Sequence, residues 1–130
     1  MHNATSEIDP QNEVVRLCAA GARAEFERRP DDARALYQQA WDAASDHCEA
    51  AIAAHYVARF AASAQEALHW NQVALSRAEA ATAGSDPRVA PFYPSLYLSL
   101  GKAHEALGDH ASAKHVYDRA TALGAPHRQR

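Results

Sequence analysis

The chain has 130 residues, 48% of them hydrophobic and 22% charged, with a formal net charge of −3 at pH 7. This length fits one domain, and the acidic balance argues against a nucleic-acid-binding protein, which is normally basic. No apolar run approaches the ~18 residues of a membrane span, and the opening segment MHNATSEIDPQNE lacks the apolar core of a signal peptide. We expect a cytoplasmic protein that binds neither nucleic acid nor membrane.

The composition predicts helices throughout the chain. Alanine is abundant, whereas Val and Ile are scarce, and this balance favours helix over strand. Helix starts are marked by proline in the first turn, by capping side chains and by a capping box. In chain order, these signals are Pro30, Ser45 or Asp46, a second box-like pair of Asp46 with Glu49, Ser63 with Glu66, and Asp109.

A pair of alanines recurs in three sets along the chain. The residues Ala113, Tyr117 and Ala120 have counterparts at Ala67, Asn71 and Ala74, and again at Ala33, Tyr37 and Ala40. The set that begins at Ala33 precedes the one at Ala67 by 34 residues. The set at Ala67 precedes the one at Ala113 by 34 plus 12 residues. The extra segment, 82–93, contains the Gly, Asp and Pro residues of a loop. Three helix-turn-helix units follow, at about 14–47, 48–81 and 94–127, with an insertion at 82–93.

The third unit shows the pattern most clearly. It reads aromatic-x2-Leu-Gly at Tyr97, Leu100 and Gly101, and then Ala-x3-Tyr-x2-Ala in the second helix. This pattern resembles the tetratricopeptide repeat (TPR), in its small bacterial form with about three repeats. The resemblance implies an all-α fold, a right-handed solenoid of six main helices over 12–123. We expect 1–11 and 124–130 to be disordered tails.

The resemblance also implies a function, which is to bind a peptide of a partner protein in a concave groove. The first helix of each unit lines that groove. Tyr56 could supply apolar surface and a hydroxyl to a bound peptide, and the guanidinium of Arg59 could bind a carboxylate with two hydrogen bonds. The alternative, that the charged residues only form a solvated face, stays open. By helical register the groove residues are Glu25, Glu49, Ile52, Tyr56, Arg59, Ser99, Lys102 and Glu105.

The middle unit departs from the pattern at two facing positions. His55 stands where the other units have glycine, and Asn71 stands where they have tyrosine. A hydrogen bond between them would satisfy both groups in the core. The alternative is a small polar pocket for a small ligand, lined by His55, Trp70, Asn71 and Tyr97.

No catalytic motif is present, and no two inner histidines have the i, i+4 spacing of a helical metal pair. Cys18 and Cys48 form no CxxC motif. We therefore expect no enzymatic activity, no catalytic or metal-binding residues and no cofactor. A homo-oligomer that assembles through the end of the third unit remains an alternative to binding of a different partner protein.

Overall fold

The computed structural model describes residues 8–124, and within this range it consists of helices, turns and loops with no strand. This confirms the predicted all-α class with six main helices. Two short 3-10 turns, at Ala58–Phe60 and Ala90–Phe92, adjoin the ends of helices. The helices are α1 (Glu13–Phe26), α2 (Pro30–Ala43), α3 (His47–Val57), α4 (Ala64–Ala83), α5 (Tyr93–Ala106) and α6 (His110–Ala122).

The predicted helix starts are confirmed. Pro30 is the first residue of α2, where its missing N–H costs no hydrogen bond. Asp46, Ser63 and Asp109 each accept a hydrogen bond from the backbone N–H three residues later. The carboxylate of Glu66 completes the start of α4, since it accepts from the N–H of Ala62 at 2.7 Å.

The helices pack in consecutive pairs, α1 with α2, α3 with α4 and α5 with α6. Further contacts join α2 and α1 to α3, and α4 to α5, so each pair rests on the next. The largest buried cluster is rich in alanine, which lets neighbouring helices approach closely. None of the helices between residues 8 and 124 has the length and hydropathy needed to cross a membrane.

The same contact occurs inside the first and the last helix pair. The ring of Tyr37 covers Gly21, and the ring of Tyr117 covers Gly101. The Tyr37 hydroxyl donates to Glu25 at 2.6 Å, and Tyr117 makes the equivalent bond to Glu105 at 2.7 Å. The two helices of each pair therefore cross closely at these glycines.

The segment 82–93 is less irregular than predicted. Helix α4 continues to Ala83, and α5 begins at Tyr93, so the loop proper is 84–89 followed by a 3-10 turn. Pro94 falls in the first turn of α5 and does not interrupt it, because residues there donate no helical hydrogen bond. Arg88 fixes the loop: its guanidinium binds Asp86 at 2.7 Å and Asp46, the cap of α3, at 2.9 Å.

The two predicted tails lie mostly outside the described residues. Of 1–11, the structure describes 8–11, where Ile8 packs against the largest buried cluster. Of 124–130, it describes Gly124.

Candidate functional site

A surface groove of about 450 Å³ lies where α1 faces α3. Three of the residues predicted to form a groove, Glu25, Tyr56 and Arg59, line it together. Ala22 and Phe26 of α1 form its exposed edge, and 89% of the surface of Phe26 is accessible. Tyr37 completes the lining from α2.

The two charged residues of the groove bind each other. Arg59 Nε donates to Glu25 Oε1 at 2.8 Å, and Nη2 donates to Oε2 at 2.9 Å, in a bidentate pair. These hydrogen bonds lower the pKa of Glu25, and the hydrogen bond from Tyr37 lowers it further. The pKa of Arg59 rises for the same reason. The guanidinium predicted to receive a ligand carboxylate is therefore occupied by one from the protein itself.

Aromatic rings hold the floor of the groove in place. Tyr56 is half-buried, and its ring stacks on that of Tyr37 with the centroids 5.1 Å apart. The ring of Phe60 also contacts that of Tyr37, with the centroids 5.9 Å apart and the planes tilted by 31°. Burial raises the pKa of Tyr56, so its hydroxyl stays protonated at neutral pH and can act as a donor.

Two of the predicted groove residues are buried and belong to the core. Ile52 is 6% exposed and lies in the largest apolar cluster. Glu49 is 8% exposed; its carboxylate accepts hydrogen bonds from the Asn12 side chain at 2.7 Å and from the backbone N–H of Ser45 at 2.8 Å. Because this carboxylate joins α1 to the start of α3, Glu49 and Ile52 do not line an open groove, contrary to expectation.

The predicted groove residues of the third unit lie elsewhere, on α5. Lys102 is exposed, Ser99 is half-buried, and Glu105 receives the hydroxyl hydrogen bond of Tyr117. None of the three lines the groove between α1 and α3. The structure thus brings together three candidates only, Glu25 of the first unit with Tyr56 and Arg59 of the second.

The polar pair of the middle unit does not form the predicted hydrogen bond. Asn71 is buried, and its Nδ2 donates to the carbonyl of Ala67 at 2.9 Å, one turn earlier on α4. His55 Nδ1 is buried without a hydrogen-bond partner. Burial lowers the pKa of His55, and the charge of Arg59 lowers it further, so the neutral ring is favoured.

The predicted polar pocket is not assembled either. Trp70 packs edge-on against Trp41, with ring centroids 5.1 Å apart, and lines a cavity beside α2. Tyr97 lies under the guanidinium of Arg119 and lines a different cavity, between the start of α5 and the end of α6. Because Trp70 and Tyr97 face separate spaces, the four residues do not surround one ligand site.

Two features of the groove escaped the sequence interpretation. Phe26 was not a candidate, although it lies four residues after Ala22 and therefore on the same face of α1. The pairing of Glu25 with Arg59 was also missed. Their separation of 34 residues equals the repeat length and places them at the same position of successive units. That spacing is the signal from which the pair could have been predicted.

Residues 8–124 contain no group of three or more side chains placed to hold a metal ion. Both cysteines are buried, and burial raises the pKa of Cys18 to about 12 and that of Cys48 to about 11. Such thiols remain protonated and are poor nucleophiles at neutral pH.

A comparison of the chain with protein-family models, with curated proteins and with solved structures gives no match in any of the three.

Proposed function

We propose that this chain is a TPR-type solenoid that binds a peptide segment of a partner protein in the groove between α1 and α3. It is a binding protein without catalytic activity of its own, and it needs no cofactor. The repeated Gly–Tyr–Glu arrangement in the first and last helix pairs supports the solenoid. Each pair also rests on its neighbour, as stacked repeats do.

The observation that carries the binding role is the exposed apolar edge of a rigid groove. Phe26 and Ala22 face solvent beside a floor whose two charged groups, Glu25 and Arg59, are already paired. A floor of this kind loses little conformational entropy when a ligand binds, because Tyr56, Arg59 and Glu25 are ordered beforehand. Aromatic residues, Phe among them, are enriched in protein–protein interfaces relative to the rest of the surface.

The experiment that tests this function blocks the groove without disturbing the fold. Ala22 is exposed, so Ala22→Trp fills the groove and leaves the core intact. Ala111 is an exposed alanine of α6, and Ala111→Trp is the matched control. Peptides selected from a random display library on the unmodified protein are then titrated calorimetrically against all three proteins. We expect binding to be lost only in Ala22→Trp; equal affinity for all three proteins would refute the groove.

Self-association is the second candidate function, and one feature favours it. A cavity of about 340 Å³, where the start of α5 meets the end of α6, is lined by Tyr93, Tyr97 and Leu123, and Leu123 is 54% exposed. An apolar surface at the end of a helical stack is suited to a second copy. Light scattering over a range of concentrations tests this candidate. A mass that rises with concentration, and does not rise in Leu123→Ser, would support it.

A further inference from the structure

The first two helix pairs have a phenylalanine at the same place in the turn between their helices. Helix α1 ends at Phe26, and the 3-10 turn that follows α3 ends at Phe60, 34 residues later. The second helix of each pair begins four residues after that phenylalanine, at Pro30 and at Ala64. Residues 34 apart therefore occupy corresponding positions in the first and second pairs.

One face of the second pair is covered by α2. The ring of Tyr37 stacks on that of Tyr56 at 5.1 Å between centroids, and it contacts the ring of Phe60 at 5.9 Å. One turn further along α2, Trp41 packs edge-on against Trp70 at 5.1 Å. Two aromatic residues, four positions apart on one helix, thus cover this face of the second pair.

The corresponding face of the first pair is apolar and open at its centre. The residues 34 positions before Tyr56, Phe60 and Trp70 are Ala22, Phe26 and Leu36. Phe60 is half-buried, whereas Phe26 is 89% exposed, so no helix within residues 8–124 lies over Phe26 as α2 lies over Phe60. Ala22 is also exposed, and Leu36 is half-buried.

From this correspondence we infer that the partner peptide is a helix that carries two aromatic residues four positions apart. One ring packs on Ala22 and Phe26, and the other packs on Leu36. Aromatic rings bury a large apolar area and prefer offset or edge-on contacts with other rings, and Phe26 offers such a ring. The inference rests on the proposed function, because Ala22 and Phe26 form the edge of the groove, and it adds the chemical class of the partner.

A helix of a different protein fits this face better than a helix from a second copy of the chain. At the two aromatic positions, α4 has Asn71 and Leu75. Helix α6 has Tyr117 and Thr121 there, so it carries one ring of the two. The rings of α2 are already engaged, since Tyr37 is buried between the first and second pairs.

The test uses the sequence of α2 as the probe, because its two rings fit the corresponding face of the second pair. A labelled peptide of residues 29–44, acetylated and amidated, is titrated with the full chain by fluorescence anisotropy. The control peptide carries Tyr37→Asn/Trp41→Leu, the residues that α4 has there, and keeps the same length and charge. We expect the α2 peptide to bind at least about tenfold more tightly, as the loss of two aromatic contacts would give. Equal binding of the two peptides would overturn the inference.

Substitutions at the end of α1 then locate the peptide on the protein. Phe26→Ser should weaken the binding of the α2 peptide at least about tenfold, because a large apolar contact is lost. Phe26→Tyr keeps a ring and should bind nearly as well as the unmodified protein. Leu107→Ser changes an exposed leucine after α5 and is the control, with no expected effect. Unchanged binding in Phe26→Ser, or an equal loss in Leu107→Ser, would show that the peptide binds elsewhere and would overturn the inference.

The remaining outcomes separate the inference from the proposed function. If peptides selected by display bind and lose affinity in Ala22→Trp, while the α2 peptide does not bind, the inference fails alone. If no peptide binds, or if Ala22→Trp and Phe26→Ser leave the binding of every peptide unchanged, both fail. A concentration-dependent dimer that Phe26→Ser dissociates would make a second copy the occupant and would also overturn the inference.

Discussion

The ring of Tyr37 occupies the space directly over Gly21: a Cβ atom on that glycine would lie 2.4 Å from Cε1 of the ring. Gly101 has the same relation to Tyr117, at 2.3 Å. Both rings are buried, so they cannot retreat from an added methyl group without repacking.

The first prediction follows from this contact. We expect Gly21→Ala and Gly101→Ala each to lower the free energy of unfolding by ~1–3 kcal/mol, the usual cost of overpacking a core. Gly84 provides the control, because a Cβ there meets its nearest neighbour at 3.6 Å. Urea unfolding followed by circular dichroism gives the three values. A loss in Gly84→Ala as large as in the other two would contradict the steric explanation.

The second prediction concerns His55 and Asn71, which stand at the positions of Gly21 and Tyr37 in the middle unit. If the two positions face each other as in the other units, a larger residue at 55 compensates for a smaller one at 71. Asn71→Tyr alone should destabilise the protein by overpacking, and His55→Gly added to it should recover much of the loss. A double-mutant cycle in urea measures the coupling; additive effects would mean that the two sites do not share one space.

The third prediction concerns the pH dependence of the pair formed by Glu25 and Arg59. The folded-state pKa of Glu25 lies below its ordinary value, so the pair stabilises the fold above the ordinary glutamate pKa. This contribution is lost as the pH falls through the folded-state pKa. We expect Glu25→Gln to lower the Tm at pH 7 and to reduce the loss of Tm on acidification. Glu105→Gln is the control, because it removes a carboxylate that binds a tyrosine hydroxyl and no arginine. It should change the loss of Tm on acidification less than Glu25→Gln does.

The fourth prediction concerns the turn between α1 and α2. Arg28 has φ of 62°, in the left-handed region, and Gly108 has φ of 80° in the turn between α5 and α6. A side chain in this region costs energy that glycine avoids. We therefore expect Arg28→Gly to raise the free energy of unfolding by ~1 kcal/mol. Glu27→Gly, whose residue has φ of −84°, should give no gain; a similar gain in both variants would exclude backbone strain as the cause.

The features predicted correctly from the sequence are those fixed by neighbours in the chain. The caps at Asp46, Ser63 and Asp109 each involve a residue three positions away, so the local sequence contains all of the information. The close contact at Gly21 was predictable because a regular spacing brings the helices of one pair together.

The parts of the site that were missed depend on how separate helices are oriented. Helical register placed Glu49 on the groove face, whereas its spacing from Asp46 predicted a box-like cap. In the structure its carboxylate binds Ser45 and Asn12, so the cap and not the groove receives this side chain. The side chain of Glu49 can either cap α3 or face the groove. The approach of α1, which brings Asn12 to its carboxylate, selects the cap. Whether Nδ1 of His55 has a hydrogen-bond partner likewise depends on how α3 packs against its neighbours, and in the structure this atom has none.

The central claim, that a peptide binds between α1 and α3, is tested most directly by NMR. The ¹⁵N-labelled protein is titrated with the tightest peptide obtained from display, and the shifted amide signals are mapped on the structure. The account predicts that the largest shifts belong to Ala22, Phe26, Tyr56 and Arg59. Shifts concentrated at Tyr93, Tyr97 and Leu123, or shifts that only report dimer formation, would contradict it.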